Sequence, residues 1–102
     1  MDLTVVDVPE RSRYEARTAD GSVAGILMYK LADRLMVITH TEVELAYEGQ
    51  GVGGQLVRGV LDDVRERGLH VLPLCPFTKA WVERHPEYQD LVFGAPPSRV
   101  TD

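Results

Sequence analysis

The 102-residue chain has little of several features that mark common classes of protein. Its one cysteine, Cys75, excludes an internal disulfide framework, and no cysteine–histidine spacing suggests a zinc or other metal site. It has no basic excess, because 11 Lys and Arg stand against 16 Asp and Glu, a formal net charge of −5. Since phosphate binding relies on a basic surface, nucleic acid is not expected as a partner.

Long apolar runs are also missing. The apolar stretches are far shorter than the roughly 20 residues that a helix needs to cross a bilayer, and residues 1–7 lack the basic-then-apolar pattern of a signal peptide. We therefore expect a cytoplasmic protein with no membrane partner. Hydrophobic residues at 44% and charged residues at 26% are typical of a folded chain, and the length fits one domain with one modest core.

The first half of the sequence predicts three antiparallel strands, at residues 13–18, 23–30 and 35–43. The first two are joined by Asp20-Gly21, a strong hairpin signal, and a second short turn precedes the third strand. Sequential strands with tight turns form an antiparallel meander.

The pattern changes after Val43. A glycine-dense loop at residues 47–54 is followed by apolar residues at spacings of three and four, from Val52 to Val64. This period predicts an amphipathic helix with one apolar face, ended by Gly68.

The remaining elements complete a mixed sheet. The apolar run at residues 71–74 predicts a strand covered on both faces, and Thr78 is placed to cap a short C-terminal helix. The strand–helix–strand unit at residues 35–74 is a crossover, so its strands should be parallel and its hand right. The predicted fold is α/β, an antiparallel meander plus one right-handed parallel β–α–β crossover, with a single domain at residues 1–95 and a flexible tail at 96–102.

The glycine-dense loop is a candidate anion site. Gly49, Gly51, Gly53 and Gly54 put four glycines in six residues, more than a plain turn requires, because each carries an entropic cost. At a helix N-terminus the free N–H groups and the positive end of the helix dipole face the same place. The alternative is a tight strand-to-helix turn that holds no ligand.

Two familiar phosphate-loop patterns fit poorly. A Walker loop is excluded, since no Lys-Ser or Lys-Thr follows. The dinucleotide pattern G-x-G-x-x-G is present at Gly49, Gly51 and Gly54, but Leu74 and Cys75 stand where an acidic residue is expected after the next strand.

Residues 43–53 resemble the acetyl-CoA motif of the GNAT superfamily of N-acetyltransferases. That motif is a strand, then Arg/Gln-x-x-Gly-x-Gly/Ala, then a helix. Gly51 and Gly53 match it, and Val43 takes the hydrophobic strand position. Glu48 stands where the family usually has Arg or Gln.

Residues 39–43, 74–77 and 84–88 further resemble the truncated, single-domain GNAT-like proteins. The resemblance implies an N-acetyltransferase that uses acetyl-CoA and acts on an amine of a small molecule or peptide. It also implies that the parallel strands splay after Val43, so that the pantetheine arm of coenzyme A lies between them. The predicted cofactor-binding residues are Val43, Glu44, Gly49, Gln50, Gly51, Val52, Gly53 and Gly54.

Three residues near the predicted strand ends are candidate catalytic groups. Glu42 and His40 alternate onto one strand face, and an amine must lose a proton, directly or through water, to attack a thioester. Glu42 is the first candidate base and His40 the second, with ordinary structural roles as the alternative for each. Cys75 is expected near the thioester, where lining the site is favoured over acting as a nucleophile, since nucleophilic attack needs a thiolate.

The sequence leaves other functions open. Full GNAT enzymes often carry a tyrosine general acid on the helix after the last parallel strand. Residues 79–84 contain no tyrosine, and Tyr88 lies beyond Pro86. The alternative is therefore a CoA-binding or acyl-CoA-binding module without turnover, and a dinucleotide binder is a weaker third hypothesis. Either a monomer or a homodimer fits the sequence, because an open sheet edge at the hairpin can pair two copies.

Overall fold

A five-stranded mixed sheet forms the centre of the protein. The computed structural model describes residues 1–94, so the predicted tail at 96–102 lies outside the described residues. The strands follow one another in the sheet in sequence order; the first four are antiparallel, and the last two are parallel. They are β1 (Thr4–Val8), β2 (Arg13–Arg17), β3 (Val23–Ala32), β4 (Leu35–Val43) and β5 (His70–Pro73).

Two helices accompany the sheet, α1 (Val52–Glu66) between the parallel strands and α2 (Pro76–Glu83) after β5. Short 3-10 turns occupy Pro9–Arg11, Leu45–Tyr47 and Pro86–Leu91. Within residues 1–94, none of the helices combines the length and apolar character needed to cross a membrane.

The core lies between α1 and one face of the sheet. Leu56, Val60 and Val64 recur along the apolar side of α1 and are fully buried, as their spacing predicts. Gly25 of β3 allows this close packing, because a Cβ there would lie 3.1 Å from Cγ1 of Val52.

The predicted meander and crossover are confirmed, with one strand missed. β1 pairs with β2 from Thr4↔Arg17 to Val8↔Arg13, so the antiparallel part has four strands rather than three. The sequence around β1 has no hairpin signal, and a 3-10 turn rather than a tight turn joins β1 to β2.

Two other local predictions were wrong. Val71 is buried, but Leu74 just after β5 is 60% exposed, so this segment is not covered on both faces. Thr78 does not cap α2, which begins at Pro76 with Cys75 in the N-cap position. Proline suits the first helical turn because its fixed φ matches the helix and its missing N–H has no partner to lose.

Candidate functional site

β5 separates from β4 after four residue pairs, the last being Ile38↔Pro73. The carbonyl oxygen of Ile38 then accepts the N–H of Cys75 at 3.1 Å, and the chain turns into α2. Residues 39–43 of β4 therefore have β3 on one edge and a gap on the other. The prediction that the strands splay after Val43 was wrong, because the gap opens five residues earlier.

An extra residue in β4 lies where the gap begins. Met28 and Tyr29 of β3 pair with His40 and Ile38, which leaves Thr39 without an opposite residue. Such a bulge bends the strand and increases its twist. The bend and the end of β5 together produce the gap.

Two backbone N–H groups of β4 point into this gap. Glu44 donates its N–H to the carbonyl oxygen of Ala24 at 2.8 Å, toward β3. Because N–H groups alternate between the two edges of a strand, those of Val43 and Thr41 point to the other edge. Fixed donors of this kind stabilise negative charge that develops on a carbonyl oxygen.

Three side chains meet where α2 begins. The Cys75 thiol donates to Oγ1 of Thr41 at 3.5 Å, and this oxygen lies 3.4 Å from Oγ1 of Thr78. Cys75 and Thr78 are both buried. Burial raises the pKa of the Cys75 thiol, but contacts with the Thr41 hydroxyl and with the N–H groups of Thr78 and Phe77 outweigh it, so the net pKa lies below its ordinary value.

His40 and Glu42 lie on the opposite face of the sheet from Cys75. Their neighbour Thr41 pairs with buried Leu27 and shares its face. Nε2 of His40 is 3.4 Å from Oε2 of Glu42, with 52% and 65% of the two side chains exposed. The structure thus brings the imidazole and the carboxylate together and places the thiol across the strand from them.

The glycine loop adopts backbone conformations that favour glycine. Gly49 and Gly51 have φ values of +81° and +77°, in the left-handed region that other residues adopt at a cost. Gly51 is the N-cap of α1 and has no side chain to bond the first-turn N–H groups. These donors are therefore available to an anion.

A pocket of about 250 Å³ lies on this loop. Six of the eight predicted cofactor-binding residues line it, whereas Glu44 and Gln50 do not. The lining comprises Val43, Tyr47, Glu48, Gly49, Gly51, Val52, Gly53, Gly54 and Phe77.

Three residues of this region, Thr41, Tyr47 and Phe77, have no role predicted from the sequence. The sequence gives no signal for Thr41, because strict alternation would place it with Val37 and Thr39. Only the bulge at Thr39 puts it on the face of Ile38. Tyr47 is next to the loop in sequence, whereas Phe77 flanks it only because α2 folds back beside α1, which no local pattern predicts.

Tyr88 is held away from the gap. Its hydroxyl donates to Oδ1 of Asp62 at 2.7 Å and accepts from Nη1 of Arg58 at 3.2 Å, both on α1. Burial, and then the hydrogen bond to Asp62, raise the pKa of Tyr88. These contacts give the residue a structural role in joining the C-terminal 3-10 turn to α1.

A larger cavity of about 500 Å³ lies between the end of β5, α2 and the segment that follows α2. Its lining includes Leu72, Leu74, Val82 and Val92 but none of the predicted site residues. The glycine-loop pocket is therefore the one that coincides with the sequence motif.

A mixed sheet whose parallel strands part beside a glycine-rich helix start has the architecture predicted from the sequence. The family described as GCN5-related N-acetyl-transferase matches residues 13–91, and the chain belongs to this family. The resemblance to the GNAT superfamily is thereby confirmed.

Two proteins of similar size resemble this chain. Protein NATD1 of Mus musculus is 28% identical over 78 residues, which cover 76% of this chain and 71% of the relative. An NMR structure of a GCN5-like protein from Staphylococcus aureus has a TM-score of 0.69 and 25% identity, covering 98% of this chain and 97% of the other.

A larger enzyme shares the fold alone. The ribosomal-protein-S18-alanine N-acetyltransferase of Escherichia coli has a TM-score of 0.59 and 18% identity, covering 71% of this chain and 49% of its own.

Proposed function

We propose that this protein uses acetyl-CoA to acetylate an amine of a small molecule or peptide. The observation that carries the proposal is the gap between β4 and β5, which adjoins the uncapped glycine loop at the start of α1. Membership of the GCN5-related family supports acetyl transfer. The use of acetyl-CoA is an inference from the site, and the amine acceptor is an inference from the resemblance to N-acetyltransferases.

The glycine loop fits a diphosphate. The first-turn N–H groups of α1 have no capping side chain, and a Cβ built on Gly49 or Gly51 meets no atom within 4 Å, so an anion can approach the backbone. Glu48 also lines the pocket and opposes an anion. Gly49 and Gly51 leave the backbone open to an anion, which favours binding despite the exposed Glu48 carboxylate.

When bound, acetyl-CoA supplies an activated acyl group on a thiol that can leave. The N–H groups of Val43 and Thr41 face the gap and would hold the carbonyl oxygen as negative charge develops on it. Glu42, with His40 beside it, would accept the proton of an amine that approaches from the open face of the sheet. Cys75 lies on the opposite face of the sheet from Glu42 and His40.

A binding module without turnover is the second candidate. Two observations favour the binding module: α2 contains no tyrosine, and hydrogen bonds hold the Tyr88 side chain against α1. Turnover does not require a tyrosine acid, since a thiol is acidic enough to leave as a thiolate, which water then protonates.

Thermal melting with acetyl-CoA tests binding. We expect a ligand at about 100 times its dissociation constant to stabilise the protein by roughly 2.7 kcal/mol. The Gly51→Ala variant should lose this shift, and Gly21→Ala should retain it. Gly21 is a matched control because its φ is +89° and a Cβ there also meets open space, so both variants carry similar strain.

Release of free CoA thiol then separates the two functions. Incubation of acetyl-CoA with a varied panel of amines should release thiol in an amount that depends on the amine. A melting shift without thiol release supports the binding module instead, and no shift in the wild-type protein contradicts both.

A further inference from the structure

The ring of Phe77 lies directly over Gly53 of the glycine loop. A Cβ built on Gly53 would be 2.8 Å from Cζ and 3.1 Å from Cε2 of the ring. This distance is too short for a real Cβ, so the ring occupies the space that only a glycine leaves. Phe77 is in the first turn of α2 and Gly53 is in the first turn of α1. The first turns of the two helices therefore pack against each other at this contact.

This contact leaves much of the ring uncovered. Phe77 is 42% exposed and lines the glycine-loop pocket. An aromatic ring that faces a pocket has apolar surface to bury when a ligand enters, at about 25 cal/mol per Å². The partner that completes the packing of Phe77 is therefore expected to be an apolar part of a ligand.

Coenzyme A offers such a part at the required place. Its diphosphate is followed by the pantetheine arm, whose first group is a branched hydrocarbon with two methyl groups. If the diphosphate binds the N–H groups of the first turn of α1, the ring of Phe77 lies beside it, because the ring covers Gly53 of that same turn. Nucleotides that end at the diphosphate have nothing to place against this ring.

We propose that Phe77 is a specificity-determining residue that selects CoA among diphosphate nucleotides by packing against the pantetheine arm. This inference rests on the proposed function, because it requires the glycine loop to hold the diphosphate of CoA. The glycine loop would supply the affinity for the diphosphate. The Phe77 ring would distinguish CoA from other ligands that carry a diphosphate.

Two ligands separate these contributions. Adenosine 3′-phosphate 5′-diphosphate has the nucleotide and diphosphate of CoA without the pantetheine arm. We expect Phe77→Ala to weaken CoA binding about tenfold, or about 1.4 kcal/mol, and to change binding of the shorter ligand by less than about twofold. Phe77→Leu retains apolar volume and should recover most of the loss. Dissociation constants from calorimetric titration measure all of these.

Phe93→Ala is the matched control. Phe93 is also an exposed phenylalanine, at 59%, and does not line the glycine-loop pocket, so its removal should leave both affinities unchanged. Melting temperatures of the free variants establish that each one is folded.

The outcomes distinguish the two proposals. Equal loss of both ligands in Phe77→Ala would mean that the ring only supports the loop, and unchanged CoA binding would mean that it contacts nothing; either result overturns the role in selection. Failure of the wild-type protein to bind CoA overturns the proposed function, and the role of Phe77 with it.

Discussion

The sulfur of Cys75 and the hydroxyl of Thr41 meet where the two parallel strands part, with Sγ 3.5 Å from Oγ1. The backbone of Cys75 is bonded to the same strand through Ile38. Two contacts therefore tie the start of α2 to β4, and they fix the width of the gap at its closed end. These contacts give the Cys75 thiol a structural role, and that role does not require the thiol to react.

Replacement of the thiol tests whether it is also a nucleophile. We expect Cys75→Ala to keep kcat/KM within about tenfold of wild type and to lose about 1 kcal/mol of stability with the contact to Thr41. Steady-state kinetics and chemical unfolding measure the two effects. A protein mass increased by one acetyl group after incubation with acetyl-CoA alone, and absent from the variant, would instead establish a covalent role for Cys75.

Replacement of Glu42 by Gln tests the proposed base. General base catalysis contributes about 10²-fold or more, so kcat should fall by about that factor. His40→Gln should have a smaller effect. Stability should stay within about 0.5 kcal/mol, because the pair is exposed.

Glu83→Gln is the control for this pair, since Glu83 is an exposed carboxylate on α2 that lies outside the gap. If Glu42→Gln and Glu83→Gln have equal kcat values, Glu42 is not the base.

The parts of the fold that were predicted correctly rest on local patterns. The start of α1 at Val52 follows from a glycine loop placed directly before residues at helical spacing. β1 was missed although its sequence is rich in β-branched residues, because no tight-turn signal links it to β2. Thr78 has the residue type of a cap, but Pro76 starts the helix two positions earlier.

In the candidate site, too, the part that is contiguous in sequence was predicted and the part formed by distant residues was not. The loop at residues 49–54 is contiguous in sequence and was recognised as a motif. By contrast, Thr41 is 34 residues from Cys75 and 37 from Thr78, and these contacts exist only because β5 ends beside Ile38. The placement of His40 and Glu42 on the other face depends on the bulge at Thr39, which has no sequence signature of its own.

Neutralisation of Glu48 should strengthen CoA binding. This carboxylate lines the glycine-loop pocket, where the proposed diphosphate would be repelled by it. At about 6 Å in water the repulsion of one unit charge is about 0.7 kcal/mol, so Glu48→Gln should lower the dissociation constant about threefold.

Two controls test the prediction for Glu48: a high salt concentration, and the same change of charge at a distant residue. The gain should shrink in about 1 M salt, where the Debye length is about 3 Å. Glu66→Gln makes the same charge change at the far end of α1, outside the pocket, and should leave affinity unchanged. Equal gains in both variants would indicate an effect of net charge alone.

Glu15 forms ion pairs with two arginines on the face of the sheet that does not pack against α1. Its carboxylate is only 6% exposed, with Oε2 2.7 Å from Nη2 of Arg13 and Oε1 2.8 Å from Nη2 of Arg17. The hydrogen bond from Arg13, and then that from Arg17, lower the pKa of Glu15 against the opposing effect of burial. The carboxylate is thus held in its charged form.

The depressed pKa predicts a loss of stability in acid. Because the folded pKa lies below the ordinary value of 4.5, the stabilisation is fully present above pH 4.5 and is lost as the pH falls through the folded pKa. Glu15→Gln should lower the free energy of unfolding by about 1–3 kcal/mol near neutral pH, and the difference from wild type should narrow in acid. Chemical unfolding at about pH 7 and about pH 3 measures both. The exposed control Glu10→Gln should change neither value, and a difference between Glu15→Gln and wild type that is constant with pH would contradict the ion-pair assignment.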